Sequence, residues 1–163
     1  MIKIRKAKLI DVPIVVRLWK EFMNIHKTIV TKKSPKFKEY LQLKKGADIK
    51  FRTFLKKNIN SRNGLVLVAE LRNKIIGYNL SFIKPNIIVY KIEKLGHISD
   101  LYVRKEFQGK GIASKFKNET LKWFKKKKIK TITLMVNNSN LYAHSIYKKW
   151  GFKDFHQEMR KKI

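Results

Sequence analysis

The chain has 163 residues, 44% hydrophobic and 12% aromatic, with 40 Lys+Arg against 11 Asp+Glu and a formal net charge of +29. That length suits one domain over residues 1–163, long enough to bury ~70% of its unfolded surface, and the apolar content excludes a disordered chain despite the charge. The absence of cysteine excludes disulfides, thiolate catalysis and Cys-ligated zinc.

"MIKIRKA" alternates and reads as a short strand. Asp11 can cap the following helix, with Pro13 tolerated in its first turn. Ile14, Leu18, Phe22 and Ile25 recur at helical spacing. "TKKSPKFKEYLQLKKGAD" is polar and cationic, a loop or a short exposed helix. Phe51, Phe54 and Leu55 mark a second helix that ends near residues 60–64. "LVLVAEL", a tight "RNK" and "IIGYNLSFI" read as a strand hairpin interrupted by Pro85. "IIVYKIEKLGHISDLYV" continues the sheet, with a turn expected over residues 94–96. Ile112, Phe116, Thr120, Trp123 and Phe124 form one face of a helix, and lysines 125–128 fall at its end, where cations suit the helix dipole. "TITLMV" is a strand, residues 140–150 a last helix, and "GFKDFHQEMRKKI" a returning strand. The order gives a single α+β domain.

The junction "VRKEFQGKGIASKF" carries the chemistry. A strand ends at Leu101, Tyr102 and Val103, and a helix is expected to start close to Gly109. A helix N-terminus offers unpartnered N–H groups and partial positive charge, which together attract anions. Glycine lets ligand oxygens approach closely, and Lys110 adds a full charge. A phosphate or pyrophosphate seat follows. The P-loop pattern is absent, and the dinucleotide fingerprint fails because Ser114 stands where its third glycine belongs.

The run Gln108, Gly109, Lys110, Gly111, Ile112, Ala113 matches Q/R-x-x-G-x-G/A. It resembles the acyl-CoA pyrophosphate loop of the GNAT superfamily of N-acetyltransferases. Downstream, "NLYAHSIYKKWGF" resembles that superfamily's N-x-x-A-x-x-x-Y-x-x-x-G-F segment through Asn140, Ala143, Tyr147, Gly151 and Phe152. The hairpin "VLVAELRNKIIGY" and the opening "IRKAKLIDVPIVVRL" fit in the same order; the main departure is residues 28–50.

The resemblance implies an α+β fold with a mixed, mostly antiparallel sheet of six to seven strands, splayed between its two central strands, and about four helices on both faces. It implies transfer of an acetyl group from acetyl-CoA to a primary amine by direct attack. Backbone groups of Leu101, Tyr102 and Val103 would pair with the pantetheine arm. Backbone from Gly109 through Lys110, Gly111, Ile112, Ala113 and Ser114 would hold the pyrophosphate, with the Gln108 and Lys110 side chains beside it. Asn140 matches a cofactor-contacting position, which an ordinary helix cap would also explain. Tyr147 matches the tyrosine that protonates the leaving thiolate, and its alternative is a core tyrosine. His97 occupies the place of a glutamate base; Glu93 and Asp100 are weaker candidates, and an ordered water chain is the alternative. Strand alternation puts His97 on one face with Ser99, Leu101 and Val103, opposite Ile98, Asp100 and Tyr102.

The acceptor is not encoded legibly. With few carboxylates available, an amino acid, small amine, protein N-terminus or protein lysine is expected rather than a polycation. The charge of +29 predicts non-specific attraction to polyanions unless lysines coat every exposed face. It keeps open a basic nucleic-acid-binding protein, and a protein that senses CoA without catalysis is a further alternative. The four histidines are scattered, so no metal is expected. No apolar run approaches the ~20 residues of a membrane span, and Asp11 breaks the apolar stretch a signal peptide needs. A soluble cytoplasmic protein without a membrane partner is expected; homodimerisation stays open.

Overall fold

The computed structural model describes residues 1–161. Strand β1 (Lys3–Lys6) leads to helix α1 (Val12–Lys33), two short 3-10 turns and helix α2 (Ala47–Asn60). Strands β2 (Gly64–Leu71), β3 (Lys74–Pro85) and β4 (Lys94–Val103) follow, then α3 (Ile112–Lys126), β5 (Ile132–Leu134) and α4 (Leu141–Lys149). The five strands form one sheet in chain order. The first three pairings are antiparallel and β4 to β5 is parallel.

Two apolar clusters hold helices to the sheet. On one face, Val15, Leu18 and Trp19 of α1 and Phe51 and Leu55 of α2 meet Val66, Val68, Tyr78 and Leu80. The expected α1 stripe is rotated: Ile25 is exposed, while Val12, Val15 and Val16 are buried. On the other face, Ile112 and Phe116 of α3 meet Leu65, Leu67, Ala69, Ile76 and Val103. The helical spacing of Ile112, Phe116, Thr120 and Phe124 therefore marks a buried face, with Trp123 half-buried at its edge.

Asp11 stands at the start of α1 without capping it. Its carboxylate instead accepts from Arg5 at 2.7 and 3.0 Å and from the Lys8 amide at 2.7 Å. Arg5 also donates to Glu70, which ties β1 and β2 to the root of α1. The Arg5 guanidinium holds the Asp11 carboxyl below its ordinary range.

Among the described residues the sheet has five strands, not six to seven; positions 162–163 of the expected last strand lie outside the described residues. Residues 87–93, expected as strand, form a loop; β3 runs on to Pro85, and the turn lies at residues 87–90, not 94–96. Residues 152–161 form no strand. Their apolar side chains Phe152, Phe155 and Met159 are spaced at three and four residues, so no single pleated face collects them. The β5 strand is also shorter than "TITLMV" suggests.

Candidate active site

The site is built around β4. Gly96, His97 and Ile98 pair with Ile132, Thr133 and Leu134, and then β4 continues to Val103 with β5 no longer beside it. Here β4 and β5 splay apart, and because β5 is the edge strand the opening lies at the side of the sheet rather than between two central strands. Leu80 pairs with Asp100 and Ser81 with Ile98, so Ser99 is an inserted residue, a β-bulge.

The bulge overturns the simple alternation. Before it, Gly96 approaches Phe124 on the α3 face, so His97 points to the α1/α2 face, where its ring lies 5.2 Å from that of Phe82. After it, Tyr102 belongs to the α1/α2 cluster and Val103 to the α3 cluster. His97, Asp100 and Tyr102 therefore share a face, and Leu101 and Val103 take the other. One inserted residue exchanges the faces of everything beyond it.

The edge of β4 past the bulge retains hydrogen-bonding capacity. The Arg104 amide donates to Ile76 on β3, so strand alternation turns the Val103 and Leu101 amides to the open edge. The Gln108 side-chain amide donates to the Val103 carbonyl at 2.8 Å and braces the following loop against the strand. Gln108 is thus a structural clasp as well as a neighbour of the loop.

In that loop, Gly109 and Gly111 have φ of 75° and 73°, a left-handed conformation that explains glycine at both positions. A Cβ at either would meet nothing within 4 Å, so backbone conformation, not crowding, requires them. Gly111 is the N-cap, so α3 begins at Ile112 rather than at Gly109. Among the described residues, the amides of Gly109, Lys110, Gly111, Ile112, Ala113 and Ser114 donate no hydrogen bond; the Lys115 amide is the first to do so, to the Gly111 carbonyl at 3.1 Å. The loop thus offers consecutive free donors at the positive end of a helix, with the Lys110 ammonium 5.3 Å from the centre of the Phe107 ring.

Titratable groups gather beside the bulge. The Asp100 carboxylate accepts from the Tyr78 hydroxyl at 3.1 Å and from Ser99 at 3.3 Å. Burial pushes its carboxyl up to about 6 despite those donors. His97 is pulled down to about 4, first by burial and then by the charge of Lys84. The Thr133 hydroxyl donates to the Gly96 carbonyl, so at 3.0 Å it accepts from His97 Nδ1–H and leaves Nε2 with the lone pair. Tyr102 donates to Glu21, which also pairs with Arg104 at 2.8 Å. Burial, then the Glu21 charge, raises the Tyr102 phenol to about 12.

Helix α4 starts at Leu141 behind Asn140, whose side chain accepts from the Ala143 amide at 3.2 Å, a true N-cap. Tyr147 is half-buried on α4, wedged edge-on between the Trp150 and Phe152 rings at 5.7 and 6.1 Å. Burial raises its pKa, and the charge of Asp100 raises it further.

A family model described as acetyltransferase (GNAT) family matches residues 19–152. The chain belongs to this family. Among solved structures, this GNAT chain is similar to a tetramutant of the BH1408 protein from Bacillus halodurans, at 22% identity and a TM-score of 0.79 with 99% of each chain covered. It is similar to a predicted acetyltransferase with acetyl-CoA from Clostridium acetobutylicum, at 20% identity and TM-score 0.74, covering 99% of this chain and 96% of that one. It is also similar to the aminoglycoside 6'-N-acetyltransferase AAC(6')-IG from Acinetobacter haemolyticus, at 14% identity and TM-score 0.72, with 99% of each covered. At these identities the likeness is one of fold. No curated protein matches the chain.

Of the residues singled out in the sequence, the GNAT fold brings Leu101, Val103, Gln108 and the loop through Ser114 to one end of β4. Asn140 and Tyr147 sit on α4. His97 lies before the bulge and hydrogen-bonds to β5. Two partners were missed: Glu21, for which an exposed-looking helix position carries no signal, and the full weight of Asp100. The signal for Asp100 was a single carboxylate inside the apolar run "HISDLYV".

Proposed function

We propose that the chain transfers an acetyl group from acetyl-CoA to a primary amine by direct attack of the amine. The observation that carries this reading is the run of unbonded amides at residues 109–114, continuous with the open edge of β4 beyond the splay. These groups fit acetyl-CoA: the amides and Lys110 suit a pyrophosphate, and the Leu101 and Val103 backbone suits an amide-bearing arm laid alongside as an added strand. When bound, acetyl-CoA supplies the activated thioester.

The chain's own residues then have three tasks. The free β4 edge orients the arm and offers an N–H to a carbonyl oxygen that gains charge. Tyr147, kept protonated by its raised pKa, donates a proton to the departing sulfur. A base takes a proton from the amine. His97 has a free Nε2, but with a pKa of about 4 it is a weak acceptor at neutral pH. Asp100, at about 6, is ionised at neutral pH and closer to the ideal match of base to medium. Asp100 is therefore favoured over His97.

The acceptor we infer is a monoamine: an amino acid, a small amine, or a protein N-terminus or lysine. A polycationic antibiotic of the kind named for some structural neighbours needs several free carboxylates. Beside the bulge there is Asp100, and Glu21 is already engaged by Arg104. The test is acetyl-CoA with a panel of amines and released thiol as readout. Amine-dependent thiol release is expected. If no amine releases thiol and saturating acetyl-CoA leaves the melting temperature unchanged, the reading fails.

A further inference from the structure

The turn between β3 and β4 breaks the local rules for turns. The Tyr90 amide donates to the Ile87 carbonyl at 3.0 Å, which closes a four-residue turn with Ile88 and Val89 at its apex. Turn centres favour Gly, Pro, Asn and Asp, and β-branched residues are poor choices there. Among the described residues nothing covers these side chains. Ile88 is 96% exposed, Val89 78%, Ile87 58% and Tyr90 57%, and Ile92 behind them is 48% exposed. The neck of the loop is nonetheless ordered: Asn86 donates through its amide to the Glu93 carbonyl and through its side chain to the Ile92 carbonyl, both at 2.8 Å. The apolar tip is thus held out on a rigid hairpin, and folding does not account for it.

Cations collar the tip. Lys91 and Lys94 are exposed, Lys84 is half-buried, and no ion pair among the described residues engages any of the three. We propose that this hairpin tip docks on an anionic phospholipid surface, with Ile87, Ile88, Val89 and Tyr90 entering the headgroup boundary and the lysines meeting lipid phosphates. Charge selects this occupant. A second copy of a chain with net charge +29 would be repelled, and a nucleic acid would gain from the lysines but leave the aliphatic apex in water. The anionic bilayer satisfies both parts at once.

The sequence expectation of no membrane partner rested on the lack of a spanning segment. Among the described residues no helix is long and apolar enough to cross a membrane, and surface docking needs none. Strand β4 has ten residues, ~30 Å of length, and the tip lies at its start while the loop of residues 109–114 follows its end. Docking would leave that loop far from the lipid, and the proposal stands independently of acetyl transfer.

The experiment is co-sedimentation of the full chain with vesicles of phosphatidylcholine alone and of phosphatidylcholine mixed with phosphatidylglycerol. The chain should pellet with the anionic vesicles and stay in solution with the neutral ones. Ile88→Ser/Val89→Ser should weaken partitioning by at least about tenfold, and Lys91→Gln/Lys94→Gln by about fivefold per lysine, the equivalent of ~1 kcal/mol each. Both pairs lie on exposed positions and each tests the proposal without the other. The proposal is overturned if anionic vesicles fail to pellet the chain, or if the serine variant pellets as well as the wild type, which would mean general adhesion of a basic surface. It is equally overturned if sedimentation velocity shows a dimer that the serine variant splits.

Discussion

The two ends of this chain are built differently. Through α3, every helix and strand contributes to, or packs against, one of two apolar clusters, and Leu18, Leu55, Val68, Tyr78 and Phe116 lose all contact with solvent. After Phe124 no described residue is buried. Helix α4 is amphipathic yet has no buried residue, and Met135, Leu141 and Tyr142 are exposed. What holds α4 is local: the Asn140 cap, the aromatic wedge around Tyr147, and Asp154 bridging His144 at 2.8 Å and Lys148 at 2.6 Å. The first region is a rigid platform. The second leaves apolar residues such as Leu141 and Tyr142 exposed and is held by local contacts.

The largest effect that tests this contrast is on stability. Phe116→Ala should cost about 3–5 kcal/mol in denaturant unfolding, while Leu141→Ala, in the exposed end, should cost under about 0.5 kcal/mol. Similar losses from both would erase the distinction. Next comes the glycine loop ahead of α3. Gly111→Glu places a carboxylate among the free amides in a left-handed conformation, so acetyl-CoA affinity should fall by at least about a hundredfold by calorimetry. Unfolding should change by only about 1 kcal/mol, because no atom obstructs the new side chain.

Tyr147→Phe should lower turnover by roughly a hundredfold with little change in acetyl-CoA affinity. Equal turnover would return Tyr147 to a packing role on α4. Asp100→Asn should remove the limb of the pH–rate profile near 6, whereas His97→Ala should leave that limb in place; the reverse result would restore His97 as base.

The smallest effect is the pH dependence of stability at these two groups, whose signs are opposite. The Asp100 carboxyl is raised from 3.8 to about 6. The folded state binds its proton more tightly, so stability is lost as pH rises through that window, and Asp100→Asn should gain on the order of 1 kcal/mol above it. His97 is lowered from 6.5 to about 4. Its contribution is present above 6.5 and lost as pH falls toward 4, and His97→Ala should flatten that fall. Denaturant midpoints across this range check both signs.

Residues 103–116 and 140–152 were legible as a GNAT signature because their chemistry is local. A left-handed loop needs glycine, a helix start needs free amides and a cap, and four-residue spacing marks the face of α3. The β2–β3 hairpin was legible for the same reason: Arg72 and Asn73 take φ of 49° and 61° and turn the chain in two residues. Local spacing and turn chemistry therefore determined the helices, the hairpin and the glycine loop. Only the tertiary structure decided which way β4 faces, since the bulge at Ser99 arises from pairing with β3 and brings Asp100 onto the same face as His97. It also decided the strand count and the rank of the candidate bases. Burial and hydrogen bonds from residues distant in the chain, Tyr78 on Asp100 and Thr133 on His97, set those proton affinities, and no local pattern records them.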